Sequence, residues 1–325
     1  MGRKKKKLGA FVVPTGVGAS IGGFAGDASF WAREFSKHCN LIVNPNVVNA
    51  GCFSGITENM LYVEGYTLDE FFKGKISLIP CQNNKIGVVF DKSISQEVLN
   101  IHINTINAVK TVYGLDILGY EITEENVGVD FFVDKSNIST GSVKNLKTLL
   151  NSARKLIKKG ANAIAIVCRF KDDKINENYQ NGIGVDPIGG VEAIISHYIS
   201  RELKIPAAHS PAFDDFSIST EVVDARASAE YITPTFLPCV LLGLANAPQI
   251  CKFSPKKLNI NDLDFLIMPY NCLGSIPVFE SIKRKIKIYA IKENSTLLNF
   301  KKEILFKNSD IIEIENYKKC LELIK

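Results

Sequence analysis

Residues 12–28 read VVPTGVGASIGGFAGDA and place five glycines within eleven residues. They follow a short apolar run and precede an amphipathic one, which is the arrangement of a strand, a loop and a helix. Glycine has no Cβ, so its backbone reaches positive φ and approaches other groups closely. Loops of this kind recur beneath phosphates and other anions, and we therefore predict a ligand-binding loop here.

The donors of this loop are the first candidate site residues. We expect them to bind a small anionic metabolite that bears a carboxylate or a phosphate, and they are Thr15, Gly16, Gly18, Ser20, Gly22 and Gly23. Both anions suit such donors equally, so the identity of the substrate stays open. The glycine order differs from G-x-G-x-x-G, which argues against a dinucleotide fingerprint without excluding a redox cofactor.

Short apolar runs alternate with amphipathic segments along most of the chain. We predict strands at 10–13, 41–43, 60–63, 87–90, 117–122, 128–133, 163–167, 205–208, 265–268 and 287–291. Helices are expected at 27–38, with Asp27 as N-cap, and at 95–113, 141–160, 191–203 and 276–284. This alternation predicts an α/β fold with a mainly parallel sheet or sheets and flanking helices.

A second glycine-rich segment, GIGVDPIGG at residues 182–190, also opens a predicted helix. When its last glycines are aligned with Gly22 and Gly23, the following Arg-Glu pairs and short strands fall at similar distances. We therefore predict two related α/β halves around one cleft. The expected domains are a basic tail at 1–7, a first lobe at 8–140, a second lobe at 141–299 and a structural extension at 300–325.

Polar residues at the ends of predicted strands supply further candidates, because ligands of parallel α/β sheets bind beyond the carboxyl ends of the strands. Groups that position the substrate are expected at Asn44, Asn46, Asn49, Arg169, Gly189 and Gly190. The planar guanidinium of Arg169 offers paired donors to a carboxylate or phosphate, or else forms a surface ion pair. The three asparagines either orient a substrate or form turns.

Proton transfer is assigned to one or more of five side chains, Glu64, Asp186, His209, Cys52 and Cys168. Imidazole titrates near neutral pH, and a carboxylate or thiolate at a strand end can act as a base. The alternative for each cysteine is a buried, unreactive thiol. His197 lies in the middle of a predicted helix, where packing or exposure is the simpler interpretation. No H-E-x-x-H or similar motif predicts a metal site.

The composition is that of a globular protein, since 46% of the 325 residues are hydrophobic and 22% are charged. The formal net charge is +5, and the lysines at 4–7 supply most of it, so no nucleic-acid-binding face is expected. No run approaches the ~20 apolar residues that span a bilayer. The apolar run at 8–13 is short and ends at Pro14, which argues against an export signal.

The eight cysteines show no C-x-x-C spacing, so reduced thiols in the cytoplasm are the expected state. We predict no nucleic-acid partner and no membrane partner. The sequence leaves the cofactor unknown and the oligomeric state open, a homo-oligomer included.

Five motifs together resemble one uncharacterised family. They are PTGVGASIGGFAGDA, NPNVVN, YVEGY, GVDPIGGVEAIISH and IPAAHSPA. The combination resembles the family catalogued as domain of unknown function 3326, found mainly in cyanobacteria and other bacteria, over residues 11–251 and more weakly to residue 294. The resemblance carries no activity over to this chain.

Two further segments are similar to units of known chemistry. Residues 153–168 are similar to the helix–strand–cysteine unit of cofactor-independent aspartate/glutamate racemases, although Arg169 and Phe170 stand where those enzymes have Asn-Thr. Residues 271–294 are similar to the nucleotide-sugar-binding unit of two-domain glycosyltransferases and epimerases, with Leu273 and Gly274 where that unit has paired glycines. These similarities imply a cysteine-based racemase or isomerase, or a nucleotide-sugar enzyme.

The sequence favours an enzyme that moves protons on a small anionic metabolite in a cleft between two glycine-rich loops. Two other interpretations stay open. One is a non-catalytic metabolite-binding or sensor protein, and the other is a scaffold subunit whose glycines form structural turns. Turnover distinguishes the enzyme from the sensor, and stabilisation by a small molecule distinguishes both from the scaffold.

Overall fold

The computed structural model describes residues 6–171, 178–305 and 311–325. The strands are, in chain order, β1 (Leu8–Phe11), β2 (Asn40–Val43), β3 (Asn49–Ala50), β4 (Phe53–Ser54), β5 (Met60–Tyr62), β6 (Ile76–Ile79), β7 (Ile86–Phe90), β8 (Ile117–Ile122), β9 (Val129–Val133), β10 (Ser139–Val143), β11 (Ala163–Arg169), β12 (Ala207–Ala212), β13 (Gln249–Lys252), β14 (Phe265–Pro269), β15 (Lys287–Ile291) and β16 (Ile311–Ile314). Residues 1–5 of the expected basic tail lie outside the described residues.

The helices alternate with these strands. They are α1 (Ser29–Ser36), α2 (Pro45–Val48), α3 (Gly65–Phe72), α4 (Gln96–Tyr113), α5 (Leu146–Lys158), α6 (Gly189–Leu203), α7 (Ser228–Tyr231), α8 (Leu237–Ala245), α9 (Ile276–Lys283), α10 (Lys302–Leu305) and α11 (Tyr317–Ile324). Single 3-10 turns lie at Tyr179–Asn181 and Ile260–Asp262.

The larger sheet has six strands in the order β16-β15-β14-β1-β2-β5, and every neighbouring pair is parallel. Read from β5 and numbered by their order along the chain, these strands run 3-2-1-4-5-6. This is the strand order of the doubly wound dinucleotide-binding fold, in which ligands bind where the order reverses, here between β1 and β14.

The smaller sheet has four strands in the order β12-β11-β7-β8, again all parallel. Numbered along the chain, they run 2-1-3-4 when read from β8, which matches the start of the flavodoxin-like order. The predicted α/β class with mainly parallel sheets is confirmed.

The division of the chain between the two sheets differs from the expected lobes. The four-stranded sheet is built from residues 86–212, so the expected boundary at residue 140 lies within the segment that forms it. The last three strands of the six-stranded sheet come from residues 265–314, and the expected extension at 300–325 supplies β16 and α11. Sequence neighbours were grouped together in the prediction, whereas the sheets pair strands that are far apart in the chain.

Two short strands carry the chain between the sheets. β6 leads from the six-stranded sheet towards β7, and β13 leads back towards β14, and the two pair in antiparallel fashion with Gln249 opposite Ile79. The smaller sheet is therefore an insertion whose two ends lie side by side.

Apolar side chains fill both faces of the six-stranded sheet. Phe11 of β1 packs with Phe35 of α1 and Tyr317 of α11 on one face, with ring centroids 5.2–6.3 Å apart. On the other face, α3 and α9 contribute Phe71 and Val278 to a second core. The first core continues through α4 and α8 onto one face of the smaller sheet. Helices α5 and α6 cover the other face of that sheet. Burial on both faces explains why the strands are short, nearly continuous apolar runs.

Several predicted boundaries moved by a few residues, and two changes affect the site. His209 lies within β12, and Cys168 and Arg169 lie within β11, although all three were expected beyond the strand ends. The helix expected from residue 141 begins at Leu146, because Ser139–Val143 pairs with β9. Helix α3 had not been predicted.

The start of α1 also differs from the prediction. Asp27 is not its N-cap, because Ala28 occupies that position without a side-chain hydrogen bond. The Oδ1 atom of Asp27 instead accepts a hydrogen bond of 2.7 Å from the backbone N–H of Gly22, inside the glycine loop. The carboxylate therefore stabilises the turn that precedes the helix.

Asn44 ties the first glycine loop to the sheet. Its Oδ1 accepts from the N–H of Val13 at 3.0 Å, and its Nδ2 donates to the carbonyl of Val13 at 2.8 Å. The side chain is buried, so an unpaired Val13 peptide would lack water as a substitute partner. Asn44 thus extends the pairing of β1 with β2 by one residue.

We predict that Asn44→Ala lowers the free energy of unfolding by about 2–4 kcal/mol, because it leaves a buried donor and a buried acceptor unpaired. Urea denaturation would measure the change. Asn104→Ala is the control, since Asn104 is exposed on α4, and it is expected to change stability by less than about 0.5 kcal/mol. Equal stability of the two variants would contradict this role of Asn44.

Candidate functional site

The described residues form a cleft of about 580 Å³ between the two sheets. Thr15, Asn44 and Glu64 line it from the carboxyl ends of β1, β2 and β5, and Ser275 follows β14 on the same side. Asp186 of the second glycine segment and His209 of β12 line the opposite side. The cleft thus includes the point at which the strand order of the larger sheet reverses.

The predicted site residues divide into two groups. Those that line the cleft are Thr15, Gly23, Asn44, Asn46, Asn49, Glu64, Asp186 and His209. Those that do not line it are Gly16, Gly18, Ser20, Gly22, Cys52, Cys168, Arg169, Gly189 and Gly190.

Several backbone donors of the first glycine loop are already in use. The N–H of Ser20 donates to the carbonyl of Ser295 at 2.7 Å, and the N–H of Gly22 donates to Asp27. The N–H of Ile21 donates to Oδ1 of Asn294 at 3.0 Å. The Ser20 hydroxyl donates to the carbonyl of Glu293, in the same loop after β15. Ser20 and Gly22 therefore serve the fold in this structure, and the predicted anion cradle lacks these donors.

The glycines allow the two loops to approach Ser139 of β10 and one another. The N–H of Ser139 donates to the carbonyl of Gly16, its hydroxyl donates to the carbonyl of Pro187, and the N–H of Gly190 donates to that hydroxyl. A Cβ on Gly190 would lie 1.9 Å from the Ser139 carbonyl oxygen, and one on Gly189 would lie 2.8 Å from the Thr15 methyl group. The loops need glycine for this close contact.

The three asparagines expected to orient a substrate have different partners. Asn44 is fully engaged by Val13, as described above. Asn46 donates through Nδ2 to backbone carbonyls of the first glycine loop, among them that of Gly22. Asn49 donates to the hydroxyl of Tyr62 at 3.2 Å, but its buried Oδ1 has no hydrogen-bond partner among the described residues. Asn49 therefore has a buried amide oxygen left for a ligand.

Glu64 begins helix α3. Its carboxyl group accepts from the N–H groups of Tyr66 and Thr67, both at 2.7 Å, and from the Thr67 hydroxyl. Burial raises its pKa to about 7, and these hydrogen bonds oppose that rise. Nε2 of His197 lies 3.7 Å from the same carboxyl group. The observed contacts of Glu64 are those of a helix cap rather than of a free base.

Arg169 and the two predicted cysteines lie elsewhere. The guanidinium of Arg169 forms an exposed ion pair with Asp214. Cys168 is buried inside β11, where burial raises the pKa of its thiol well above the usual range. Cys52 is part-buried and is not among the lining residues. A racemase mechanism with these two thiols facing one substrate does not fit this arrangement.

In the segment similar to a nucleotide-sugar unit, polar side chains also form hydrogen bonds to other parts of the protein. The side chain of Asn271 bonds to the backbone of Thr296 and Leu298, and Asn294 bonds to Ile21 and to the hydroxyl of Tyr317. Leu273 is fully buried. These contacts close the sheet next to the first glycine loop.

Glu192, which is buried, and His209, which is half-buried, form an acid–base pair in the cleft. Oε2 of Glu192 lies 3.7 Å from Nε2 of His209, and the Glu192 residue is 7% exposed. The other ring nitrogen, Nδ1, lies 2.9 Å from the hydroxyl of Ser196. That hydroxyl donates to backbone carbonyls of its own helix, so it accepts from Nδ1–H, and the lone pair of His209 is on Nε2.

Burial sets the charge of this pair. It raises the pKa of Glu192 well above the usual value, and the nearby carboxyl groups of Asp186 and Glu230 add to the rise. Burial, with a smaller effect from His197, lowers the pKa of His209 to about 3. Burial therefore favours the neutral form of each group, because a charge is poorly solvated there.

A second pair of carboxyl groups, Asp186 and Glu230, lines the same cleft. Asp186 accepts from the N–H of Ile188 at 3.0 Å, and Glu230 accepts from the hydroxyl of Tyr179 at 3.2 Å. Burial raises the pKa of both, and in Glu230 the proximity of Asp186 contributes to the rise. Burial therefore favours the protonated form of both carboxyl groups.

With this geometry established, comparison with known proteins places the chain in a family. The family described as "Protein of unknown function (DUF3326)" matches residues 9–325. The chain belongs to the DUF3326 family. The match confirms the resemblance carried by the five motifs and extends it to the end of the chain.

The DUF3326 chain is 35% identical over 297 residues to an uncharacterized lipoprotein of Synechococcus sp., covering 89% of this chain and 82% of that protein. No solved structure matches the chain significantly. The description of the relative as a lipoprotein does not fit the expected cytoplasmic location. Within residues 6–171, 178–305 and 311–325, each helix is too short or too polar to cross a bilayer.

Sequence reasoning missed Glu192, Ser196 and Glu230 in this DUF3326 protein. A signal for the first two was present in helix α6. Glu192, Ser196 and Ser200 recur every four residues, which places them on one helical face, and all three are buried. A glutamate on the buried side of a helix is rare unless it has a partner, so this pattern marked Glu192. Glu230 lies in a segment without clear periodicity and carried no such signal.

We predict that Gly190→Ala destabilises the protein by about 2–3 kcal/mol, because its Cβ overlaps the Ser139 carbonyl oxygen. Urea denaturation would measure this loss. Gly274→Ala is the matched control, since its Cβ would lie 3.4 Å from Phe300 in ordinary contact. If both variants unfold at the same urea concentration, the close contact between the loops is not needed.

We predict that His209 makes the protein less stable in acid. The unfolded chain takes up a proton near the ordinary pKa of 6.5, whereas folded His209 stays neutral down to about pH 3. This stability is present above pH 6.5 and is lost as the pH falls below it, by about 1–2 kcal/mol between pH 7 and 5.

Urea unfolding from pH 7 to 5 would measure this effect. His209→Asn is expected to remove the loss of stability that His209 causes between pH 7 and 5. The control is His38→Asn, at an exposed position just after α1, and it is expected to show the same loss as the wild type. Parallel pH profiles for the wild type and His209→Asn would contradict a neutral, buried His209.

Proposed function

We propose that this protein is an enzyme that moves a proton on a small polar metabolite bound in the cleft. The observation that carries the proposal is the pair of Glu192 and His209, whose carboxyl oxygen and ring nitrogen lie 3.7 Å apart in the cleft. A base and an acid of this kind are what an isomerisation or elimination without a redox step requires. The cleft has room for a metabolite, at about 580 Å³.

The pair lets two proton transfers compensate each other. Nε2 of His209 accepts a proton from the substrate, and Glu192 gives its own proton to another substrate atom. The imidazolium is then next to a carboxylate, so the charges neutralise each other where water is scarce. Ser196 supports this step because it accepts from Nδ1–H and keeps the lone pair on Nε2.

The expected anionic group of the substrate receives little support from the cleft. None of the described lining residues is a lysine or an arginine, and six of them are aspartate or glutamate. The donors expected from Ser20 and Gly22 are occupied, and Arg169 pairs with Asp214. The proposed function therefore includes proton transfer but no anionic group on the substrate.

The location of the protein is a separate part of the proposal. All eight cysteines are free thiols, which supports a reducing compartment such as the cytoplasm. The lipoprotein description belongs to the Synechococcus relative, and it raises a lipid-anchored location as the other candidate for this chain. The chemistry of the cleft is the same in either place.

Incubation in D2O tests the proposed chemistry without knowledge of the substrate. A bacterial metabolite extract is incubated with the protein, and mass spectrometry follows deuterium uptake at carbon and the appearance of new products. The wild type is expected to label at least one metabolite. His209→Asn is expected to lower the rate about 10²-fold or more, and the exposed-site variant His38→Asn to leave it unchanged. Saturable binding with neither label nor product would indicate a sensor and overturn the enzyme.

A further inference from the structure

From the charges and the unpaired atoms of the cleft, we infer that its ligand is a small organic amine, whose ammonium group binds between Glu192 and Asn49. The inference rests on the proposed function in that it names the substrate class for the same cleft. It replaces the anionic metabolite expected from the sequence by a cation.

The first argument is the charge of the lining. The carboxyl groups are Glu64, Asp69, Asp186, Glu192, Asp215 and Glu230, and the described lining has no lysine or arginine to offset them. The chain as a whole carries a formal charge of +5, so this acidic concentration is local to the cleft. Burial raises the pKa of most of these carboxyl groups, so a cation entering the cleft favours their ionisation, whereas an anion meets no cationic side chain among the described lining residues.

The second argument is a pair of buried polar atoms without partners. Oε1 of Glu192 and Oδ1 of Asn49 are shielded from solvent, and neither has a hydrogen-bond partner among the described residues. Leaving a buried polar atom unpaired costs about 1–3 kcal/mol, so such atoms mark the place of a missing donor. An ammonium group has three N–H donors and can serve both oxygens.

The third argument is the aromatic wall of the same cleft. Phe24 is occupied by its stacking with Tyr179, at a centroid distance of 4.8 Å, and by the guanidinium of Arg226, 4.7 Å from its ring centroid, so the wall for a ligand consists of Tyr231, Phe213 and Phe236. Aromatic faces pack against the methylene groups of an alkylamine and attract its charge. A sugar or another neutral polyol would gain less from this wall and nothing from the acidic charge.

Binding of an amine is coupled to the protonation of Glu192. The empty cleft keeps this carboxyl group neutral, and an adjacent ammonium group stabilises the carboxylate instead. The proton of Glu192 then leaves to solvent, and the bound ammonium group takes its place as the proton donor opposite His209. Amine binding is therefore expected to release up to one proton, which a neutral ligand does not do.

Calorimetric titration with matched compounds tests the inference. The probes are ethanolamine, 1,4-diaminobutane, 1,6-diaminohexane and spermidine, with ethylene glycol, 1,4-butanediol and 1,6-hexanediol as neutral partners. Titration in phosphate and in HEPES buffer at the same pH measures the protons released, and neither buffer contains a primary amine. At least one amine is expected to bind ten times more tightly than its alcohol partner, with proton release.

Two variants locate the binding. Glu192→Gln keeps the shape of the side chain but cannot ionise, and it is expected to weaken amine binding at least tenfold and to abolish the proton release. Glu202→Gln removes one acidic group from the exposed end of the same helix and is expected to change neither. Thermal melting of both variants confirms that they are folded.

The outcomes separate this inference from the proposed function. If no amine binds more tightly than its alcohol, or if Glu192→Gln binds amines as the wild type does, the inference is overturned, while labelling in D2O still decides the enzyme. If amines bind through Glu192 and no metabolite is labelled or converted, the inference stands and the protein is an amine-binding protein without turnover.

Discussion

The contact of Ser139 with both glycine segments is the constraint on which the cleft depends. One residue accepts from Gly190, donates to Pro187 through its hydroxyl, and donates to Gly16 through its backbone. The first segment belongs to the six-stranded sheet and the second precedes α6, which packs on the smaller sheet. These three hydrogen bonds therefore fix the distance between the two walls of the cleft. Side chains at the glycine positions would push these walls apart.

The sequence predicted the fold class well because buried parallel strands have an obvious pattern. Most strands were recognised, since short apolar runs such as Ala163–Arg169 have few other interpretations. The pairing of strands was not predictable in this way. The partner of β1 on one side is β14, more than 200 residues away in the chain, and no local pattern indicates it. The predicted lobes therefore group the chain by sequence proximity, whereas the sheets group it by strand pairing.

The site was predictable in part for a similar reason. The rule that ligands bind beyond strand ends selected Asn49 and Glu64, which do line the cleft. It could not tell which polar groups the fold itself would use. Asn44 and Ser20 have the residue types of ligand-binding groups, and both bond to their own chain. Glu192 was missed because its importance comes from burial beside His209, which depends on the packing of α6 against β12.

The antiparallel pair of β6 and β13 has a consequence for the order in which the molecule forms. A ribosome releases the chain from its N-terminus, so the inserted sheet has all its strands once residue 212 has emerged. At that point β1 still lacks its neighbour β14, and the partners of the first glycine loop at residues 293–297 are not yet made. The nascent protein thus carries an inner sheet that has all its strands but still lacks α8, and an outer sheet with an exposed apolar edge at β1. Chaperones would meet this protein during that interval, and the cleft takes its final shape only after the last third of the chain has been translated.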